Sequence, residues 1–455
     1  MPYAPFLFVR LINMSNIQGN RMTKKQLVII GNGLATMQLL KELDHQSDYA
    51  VTVLSAENVP HYNRIMLSSL LAQETDLQSI TPCDDAWYQE RNVRVLLNHR
   101  VIKVDSQNHS LSCENGAQIP YDKLIFATGS RAFIPPMPGT QMPDVLDGVM
   151  GFRKLIDVDF MQEVTSLYKQ AVVIGAGLLG IEAAVGLAKQ GMDVTLLHRR
   201  DVLMNRQIDR QASELLIKEL EGRGIKIATG HGPVALVGTP VSPSHGQESA
   251  SSKVCAVTLD NGDKLPADLV IFATGIVPCT PLAQASGLMV QKGICVDAQL
   301  QTSQPDIHAL GECCEFEGNT YGLVAPIWNQ ARVLAAQLLL LAKEPLTEDA
   351  PIDDADRPVY QEESFATKLK VSGIDVHSMG IINAEETELD CEVLEFNDLE
   401  RSVYKKILIS NHKVVGAVLY GDVADSQWYF ELLQQELNIE AFRQNLIFGK
   451  AFCDS

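Results

Sequence analysis

Residues 171–195 read AVVIGAGLLGIEAAVGLAKQGMDVT, and this stretch decides the fold. A short apolar run leads into Gly175-Ala176-Gly177, and the residues that follow are apolar at the spacing of a helix. This pattern predicts a strand, a tight turn and a helix, which is the setting in which a Gly-x-Gly-x-x-Gly sequence binds dinucleotide phosphates.

Each glycine of this stretch has a physical task. Gly175 permits the tight turn, Gly177 lets the backbone approach a pyrophosphate, and Gly180 allows the helix to pack closely on the strand. The first turn of the helix then offers free N–H groups to the phosphates. We therefore predict a nucleotide site at this turn.

The same design occurs earlier in the chain. Residues 26–43 read QLVIIGNGLATMQLLKEL, with Thr36 in place of the third glycine, so we expect this helix to pack slightly further out. Each copy is completed by an apolar strand that ends in Ala-Thr-Gly. Two complete copies are far more specific than a lone Gly-x-Gly. The first predicted site comprises Gly31, Gly33, Leu34, Ala35, Ala127, Thr128 and Gly129, and the second comprises Gly175, Gly177, Gly180, Ala273, Thr274 and Gly275.

Length and composition limit the class of protein. A chain of 455 residues exceeds one hydrophobic core and predicts two or three domains. A formal charge of −19 disfavours binding to nucleic acid or to an anionic membrane. Nine cysteines without regular spacing are typical of a reducing cytoplasm, and we expect no apolar run of transmembrane length.

Three segments are expected to lie outside the packed domains. Residues 1–22 are interpreted as a disordered extension, and translation from Met22 is favoured over Met1. Residues 238–253 are rich in Ser, Gly and Pro and predict an exposed hairpin loop. Residues 346–356 are acidic and predict a linker.

A third segment follows the second copy. Residues 293–300 and 307–310 predict strands, Gly311-Glu312 opens a loop, and a helix is expected from Ile327. With the two glycine turns, this order resembles the flavoprotein reductases that bind two dinucleotides. The resemblance implies that the first and third segments hold FAD, while the inserted middle domain holds a nicotinamide nucleotide.

More particular stretches resemble the flavoprotein part of the large subunit of assimilatory NAD(P)H nitrite reductase. They are YNRIMLSSLL (62–71), YGLVAPIWNQA (321–331), FATKLKVSGIDVHSMG (365–380) and KKILISNHKVVGAVLYGD (405–422). The likeness extends from about residue 24 to near residue 455. In the tail we predict strands around the turn Ser410–Lys413 and a helix from Asp425.

The expected fold is therefore α/β. It has two Rossmann-like dinucleotide-binding domains of the glutathione reductase type, the second inserted in the first, and a small α+β C-terminal domain. The predicted ranges are 23–150 and 286–345 for the FAD domain, 151–285 for the NAD(P)H domain, and 357–455 for the C-terminal domain.

The FAD site takes further residues. Glu57 follows a strand about 20 residues after the turn and is assigned to the adenosine ribose, the alternative being a solvated loop acid. By resemblance, Arg64 and Ser68 lie beside the cofactor, and Glu312, after Gly311, takes a role on its ribitol or phosphate side. Trp328 is placed on or near the flavin ring, or else it is a core residue.

Residues 196–201 read LLHRRD, where NAD-binding proteins usually carry a carboxylate against the ribose hydroxyl. His198 takes that place, and Arg199 and Arg200 follow, a layout that resembles the NADPH site of glutathione reductase. Arginine favours a 2′-phosphate, so NADPH is preferred, although relatives in the nitrite reductase family often carry this histidine with NADH. Glu182 is expected near the nicotinamide by resemblance, or to complement the helix dipole.

Differences from the related families argue against thiol chemistry and against an iron–sulfur cluster in this chain. The sequence has no Cys-x-x-Cys, and Cys313-Cys314 is an awkward pair for a disulfide, so both are interpreted as packing residues. In ferredoxin reductases a lysine follows the serine at position 68, whereas here Ser69 stands there. An iron–sulfur cluster needs about four cysteine ligands, and Cys391 and Cys453 are isolated, so we expect no metal site in this chain.

The functional hypothesis is an NAD(P)H-dependent FAD reductase. Hydride passes from nicotinamide to flavin without a catalytic acid or base, and electrons then leave to a partner protein that carries the metal centre. That partner is expected to be an assimilatory nitrate or nitrite reductase component. Two alternatives remain open, a rubredoxin or flavorubredoxin reductase and a sensing protein that binds flavin and nucleotide. The sequence does not indicate an oligomeric state.

Overall fold

The computed structural model describes residues 24–44, 48–240, 252–343, 357–362, 366–371 and 373–453. The predicted extension 1–22, the linker 346–356 and most of the loop at 238–253 lie outside these residues. The two strands that flank that loop pair with each other antiparallel.

The elements in chain order fall into three groups. The first group is β1 (Gln26–Ile30), α1 (Leu34–Leu43), β2 (Ala50–Leu54), α2 (Leu67–Leu71), α3 (Asp85–Glu90), β3 (Val93–Leu96), β4 (Val101–Asp105), β5 (Ser110–Cys113), β6 (Gln118–Pro120), β7 (Lys123–Phe126), β8 (Ser130–Ala132) and β9 (Val149–Gly151). The second is α4 (Leu155–Val164), β10 (Gln170–Ile174), α5 (Leu178–Lys189), β11 (Asp193–His198), α6 (Arg210–Gly222), β12 (Lys226–Thr229), β13 (Pro233–Pro240), β14 (Ser252–Leu259), β15 (Lys264–Pro266), β16 (Leu269–Phe272), β17 (Ile276–Pro278) and α7 (Pro281–Ala285). The third is β18 (Ile294–Cys295), β19 (Ile307–Ala309), β20 (Cys314–Phe316), β21 (Asn319–Thr320), α8 (Val324–Lys343), β22 (Thr367–Val371), β23 (Ile374–Gly380), β24 (Glu392–Asp398), β25 (Val403–Ser410), β26 (Lys413–Tyr420) and α9 (Ser426–Gln434).

Each predicted copy forms a five-stranded sheet. The first has the strand order β19-β7-β1-β2-β3 and the second has the order β12-β11-β10-β16-β9, and neighbouring strands in both are parallel. The strand that precedes each glycine turn lies in the middle of its sheet, where it is buried on both sides. The predicted fold of two Rossmann-like domains is confirmed.

Two local predictions in the third segment need correction. The strand expected over 293–300 is confined to β18, because residues 297–300 form a turn in which Leu300 has a positive φ of 60°. Helix α8 begins at Val324, three residues before the expected Ile327, since Pro326 is tolerated in the first turn of a helix. The strand at 307–310 is confirmed as β19.

A short antiparallel pair joins the two domains. Strand β8 leaves the first domain, β17 returns from the second, and the two are hydrogen-bonded to each other. The Thr128 hydroxyl donates to the Cys279 carbonyl (2.8 Å), and the Thr274 hydroxyl donates to the Phe133 carbonyl (2.6 Å). Each Ala-Thr-Gly end therefore holds the linking strand of the other copy.

Helix α2 of the first domain lies directly on helix α5 of the second. A β-carbon on Gly186 would come within 2.8 Å of the Leu71 side chain, so only glycine allows this approach. The Gln190 amide donates to the Leu71 carbonyl (2.6 Å), and Lys189 pairs with Glu74. These contacts hold the two nucleotide-binding domains together along α5.

The C-terminal domain is an antiparallel sheet with the strand order β22-β23-β26-β25-β24 and one helix, α9. The turn predicted at Ser410–Lys413 joins β25 to β26, and α9 follows Asp425, so both predictions are confirmed. One face of the sheet packs with Tyr429 of α9. The other face, which includes Tyr404 and Val418, shares a core with the second domain.

Helix α8 differs from the expectation of no apolar run of transmembrane length. The stretch Val324–Ala342 is long and apolar enough, by length and composition, to cross a membrane. Ala331, Leu334 and Leu338 on this helix are buried in the core of the first domain. A core helix satisfies the same length and composition criteria.

The Gly180→Ala substitution tests the packing of α5 on its turn. A β-carbon at Gly180 would overlap the Gly175 carbonyl oxygen, so backbone atoms must move. We expect the free energy of unfolding to fall by about 1–3 kcal/mol, the usual cost of overpacking. Calorimetry or urea unfolding of the full chain measures the change.

Gly222→Ala is the matched control, because Gly222 is also helical and a β-carbon there would meet no described atom within 4 Å. We expect this change to leave stability equal or raise it by up to about 1 kcal/mol. Equal destabilisation by the two substitutions would contradict the packing argument.

Candidate functional site

The first glycine turn leaves the start of α1 open. Gly31 has φ +116°, and a β-carbon there would overlap the Ala127 carbonyl oxygen. Gly33 is the N-cap of α1, no described side chain caps this end, and a β-carbon on Gly33 would meet no described atom within 4 Å. The N–H groups around Leu34 and Ala35 thus begin at an uncovered helix end, which fits the pyrophosphate of a dinucleotide.

Thr36 fills the place of the missing third glycine. Its side chain is fully buried, and its hydroxyl donates to the Gly31 carbonyl (2.7 Å). The threonine therefore ties α1 to the turn through a hydrogen bond instead of through backbone contact.

The Gly311-Glu312 loop lies beside Ala35 on one side of the start of α1. A β-carbon on Gly311 would come within 2.9 Å of the Ala35 β-carbon, and the Gly311 N–H donates to the Gln330 side chain (2.8 Å). Glu312 accepts a hydrogen bond from Ser130 (2.7 Å) and pairs with Arg153. The predicted residue Glu312 thus lies at the junction of the two domains, beside Ser130 and Arg153.

Glu57 and Arg64 are brought together. The Arg64 guanidinium pairs with one Glu57 oxygen (2.7 Å), and the Tyr62 hydroxyl donates to the other (2.9 Å). Burial would raise the pKa of Glu57, but Arg64, Tyr62 and Lys154 together outweigh it and the pKa is lowered. Glu57 is therefore a partly buried carboxylate with both oxygens engaged, and its role on the ribose stays a prediction.

Cations gather where the two domains meet. Arg131, Arg153 and Lys154 all lie near the Cys279 thiol, whose pKa is raised by burial although these cations oppose the rise. The Arg64 guanidinium also donates to the Arg153 carbonyl (3.3 Å). We call Arg64, Arg131, Arg153 and Lys154 the junction cations. Two of them, Arg64 and Arg153, are paired with Glu57 and Glu312, in a chain whose net charge is −19.

The second glycine turn repeats the geometry of the first. Gly175 has φ +107°, and a β-carbon there would come within 2.5 Å of the Ala273 carbonyl oxygen. Gly177 is the N-cap of α5 with no capping side chain among the described residues, and Gly180 packs against the Gly175 carbonyl. Gly275, after Thr274, has φ +120°. This turn also fits a dinucleotide.

His198 ends β11 and fixes the second turn. Its Nδ1 accepts a hydrogen bond from the Ala176 N–H (3.3 Å), so Nε2 carries the hydrogen and donates to the Asn205 side chain (3.2 Å). Burial lowers the pKa of His198. The ring is therefore neutral and held by the protein.

Arg199 and Arg200 are exposed at the start of the next loop, and neither forms a salt bridge within the described ranges. Both guanidinium groups lie at the end of β11, where Arg199 is close enough to Asp260 to help lower the pKa of that carboxyl. Trp328, which was predicted to lie on or near the flavin ring or else in the core, is on α8, and its side chain is half exposed.

Glu182 lies at the interface between α5 and α2. Burial raises its pKa to about 7, and a side-chain hydrogen bond from Ser68 opposes this rise only in part. The structure therefore brings the predicted residues Ser68 and Glu182 together between the two domains, one turn along α5 from the second glycine turn.

Sequence analysis missed several residues of the site. Tyr62, Ser130, Arg153, Lys154 and Gln330 bind the predicted acids, turns or cations. Tyr62 stands two residues before Arg64, so the YNR pattern could have identified it. The others share no spacing with a glycine turn, so only the fold reveals them. Cys313 and Cys314 are buried, as expected for packing residues.

Glu182→Gln should remove a pH-dependent loss of stability. With a folded pKa of about 7 against an ordinary 4.5, the wild-type carboxyl is stabilising when protonated. Its contribution is complete below about pH 4.5 and is lost as the pH rises through 7, a loss of about 3 kcal/mol. The variant should therefore be more stable than the wild type at pH 8 and similar to it at pH 5.

Urea unfolding of the full chain at both pH values gives this difference. Glu163→Gln, on the exposed side of α4, serves as the control and should change little at either pH. The free energies of unfolding of wild type and Glu182→Gln are compared at both pH values. If their difference is the same at pH 5 and pH 8, the expectation of a buried, protonated Glu182 is contradicted.

Comparison with known families covers most of the chain. Residues 25–334 match the family model described as pyridine nucleotide-disulphide oxidoreductase. Residues 366–437 match the rubredoxin NAD+ reductase C-terminal domain.

Curated relatives include enzymes of nitrogen metabolism. The NAD(P)H nitrite reductase of Bacillus subtilis is 39% identical over 420 residues, which cover 92% of this chain and 48% of the relative. The assimilatory nitrate reductase electron transfer subunit of the same organism is 34% identical and covers 94% of this chain and 51% of the relative. The chain thus spans about half the length of these relatives. A nitric oxide reductase FlRd-NAD(+) reductase of Escherichia coli is 32% identical over 69% of this chain and 78% of the relative.

Solved structures share the fold. The ferredoxin reductase for the CYP199A2 system of Rhodopseudomonas palustris superposes with a TM-score of 0.74, at 24% identity, over 92% of this chain and 96% of the other. The NADH:rubredoxin oxidoreductase of Clostridium acetobutylicum gives a TM-score of 0.69, at 23% identity, over 91% and 96%. From the family match and the two glycine turns, this chain belongs to the pyridine nucleotide-disulphide oxidoreductase family of FAD-dependent NAD(P)H oxidoreductases.

Proposed function

We propose that this chain accepts a hydride from NAD(P)H on FAD and passes electrons to a separate protein that carries a metal centre. The partner proposed is a component of an assimilatory nitrate or nitrite reductase. The observation that carries the proposal is the pair of uncovered glycine turns, whose helices belong to two domains joined through α2 and α5.

The residues of the chain would bind and orient the two nucleotides. The starts of α1 and α5 would hold the pyrophosphates, and Glu312 and the junction cations, which lie where the two domains meet, would face the region in which FAD and the nicotinamide approach each other. The flavin, when bound, supplies the two-electron and one-electron chemistry that no side chain can supply. Ser68 and Glu182 lie at the interface between α2 and α5, which joins the two domains.

Similarity favours the nitrogen-assimilation partner over the alternatives. The nitrite and nitrate reductase relatives match over 92% and 94% of this chain, and the flavorubredoxin reductase relative matches over 69%. The C-terminal match to a rubredoxin reductase domain keeps a rubredoxin-type acceptor as the second candidate.

Flavin reduction is the first test. The purified chain, loaded with FAD, is mixed anaerobically with NADPH or NADH, and loss of flavin absorbance is followed by stopped flow. We expect fast bleaching, and then repeated turnover when an oxidised acceptor protein is added. Bleaching by neither nucleotide would overturn the proposal and favour a binding or sensing protein.

The acceptor is identified in the same assay. A molybdenum nitrate reductase, a sirohaem nitrite reductase and a rubredoxin are each added at equal concentration to the reduced protein. Fastest reoxidation by either of the first two supports the proposed partner. Fastest reoxidation by rubredoxin would replace it with the second candidate.

Arg199→Ala and Arg200→Ala test the choice of NADPH. A guanidinium stabilises a 2′-phosphate through charge-assisted hydrogen bonds, each worth about 1.5–3 kcal/mol. We expect KM for NADPH to rise by about tenfold or more in at least one variant, with KM for NADH within twofold of wild type. Arg210→Ala, an exposed arginine on α6 beyond the loop, is the control. Equal use of NADH and NADPH by the wild type would contradict the preference.

A further inference from the structure

The loop that carries the exposed arginines is tied to the second glycine turn. We call residues 199–209, between β11 and α6, the nucleotide loop. The Met204 N–H donates to the Ala176 carbonyl (2.9 Å), and Asn205 accepts from His198 (3.2 Å). Any shift of this loop would therefore disturb the turn that faces the pyrophosphate.

The nucleotide loop is held against its local preference. Met204 has φ +47°, the left-handed region that a long side chain rarely adopts, and its side chain is buried. Such a conformation costs about 1 kcal/mol or more and persists only where surrounding contacts enforce it. The contacts that enforce it should therefore matter for nucleotide binding.

One set of those contacts comes from the start of α6. The Leu203 N–H donates to the Ser213 hydroxyl (2.8 Å), and Asp209 caps the helix by accepting from the Ala212 N–H (3.1 Å). The end of the loop is thus fixed to the first turn of α6, so the position of α6 sets the position of Leu203 and Met204.

The start of α6 is in turn held by the C-terminal domain. Asp209 is buried, and it accepts hydrogen bonds from the Tyr404 hydroxyl (2.7 Å) and the Lys406 ammonium (3.0 Å), both on β25. Tyr404 is fully buried and Lys406 is 9% exposed, so this ion pair is screened little by solvent. Beside it, Gln211 bonds Glu395 and Asn397 of β24 (3.2 Å each).

We propose that Tyr404 and Lys406 of the C-terminal domain are positioning residues for the nicotinamide nucleotide, acting through Asp209 on the nucleotide loop. The path runs from Lys406 and Tyr404 to Asp209, through the first turn of α6 to Leu203 and Met204, and ends at the Ala176 carbonyl. This inference rests on the proposed function, because it takes the second glycine turn as the nicotinamide nucleotide site.

The proposal predicts an effect on nucleotide binding and no effect on the rate of hydride transfer. Neither Tyr404 nor Lys406 lies on a glycine turn, so their loss should weaken nucleotide binding without changing hydride transfer at saturation. An interaction equal in the ground state and the transition state alters KM and leaves kcat unchanged. FAD binding should also be unaffected, because the path does not reach the first domain.

The neighbouring lysine provides a matched control. Lys405 is on the same strand, is equally buried, and pairs with Asp422 inside the C-terminal domain (2.7 Å). Lys406→Met and Lys405→Met therefore make the same chemical change to adjacent buried lysines, and only the first breaks the contact with Asp209. Tyr404→Phe removes the hydroxyl that lies 2.7 Å from Asp209 and 3.3 Å from Glu395, leaves Lys406 in place, and serves as the milder variant.

Two measurements on the FAD-loaded full chain test the inference. Hydrogen–deuterium exchange of peptides covering 199–209 should be at least tenfold faster in Lys406→Met than in wild type or Lys405→Met. KM for NADPH and NADH, and Kd for NADP+ and NAD+, should rise about tenfold in Lys406→Met and about threefold in Tyr404→Phe, with kcat and FAD content within twofold. Lys405→Met should leave all of these values unchanged.

The outcomes separate the two proposals. Unchanged exchange in the nucleotide loop of Lys406→Met, or an equal rise in KM for Lys405→Met, overturns the positioning role. A fall in kcat with loss of FAD also overturns it, because the effect would then be general unfolding. If Lys406→Met does not fold, unchanged exchange and KM in Tyr404→Phe overturn it as well. A wild type that binds neither nucleotide overturns the proposed function, while the exchange measurement still decides the contact.

Discussion

The structure depends on the close approach of the end of a parallel strand to the first glycine of each turn. At Gly31 and Gly175 the backbone passes against the carbonyl oxygens of Ala127 and Ala273, which end the closing strands. A β-carbon has no room there, and the positive φ angles of both residues already favour glycine. Only glycine therefore fits between each turn and its closing strand.

Close backbone packing and two hydrogen bonds also join the two domains. Gly186 lets α2 reach α5, and the hydroxyls of Thr128 and Thr274 satisfy carbonyls on the two linking strands. These two hydrogen bonds attach the end of each closing strand to the linking segment of the other copy. The threonines of the Ala-Thr-Gly ends, predicted as cofactor residues, thus also have a structural task.

Four cationic side chains lie close together in a chain that is acidic as a whole. The net charge is −19, yet the junction cations gather around Glu57 and Glu312 where the two domains meet. Fields in a partly enclosed region are screened less than fields at an open surface. The charges at the junction therefore interact with one another more strongly than the same charges would at an open surface. On the other side of the second domain, the buried Asp209–Lys406 pair connects the C-terminal sheet to the nucleotide loop.

The sequence by itself determined both glycine turns, the strands and helices around them and the C-terminal hairpin, because each depends on local spacing and hydrophobic period, whereas the insertion of one domain in the other was implied only by the family resemblance. The sequence also placed His198 at the end of its strand and Glu182 early on its helix. Only the tertiary structure decided that Glu57 pairs with Arg64 and Tyr62, that Arg153 meets Glu312, and that Lys406 reaches Asp209. The last two contacts join residues 159 and 197 positions apart, respectively, a separation that no local pattern encodes. They arise from the packing of whole domains, which the sequence specifies only through the complete fold.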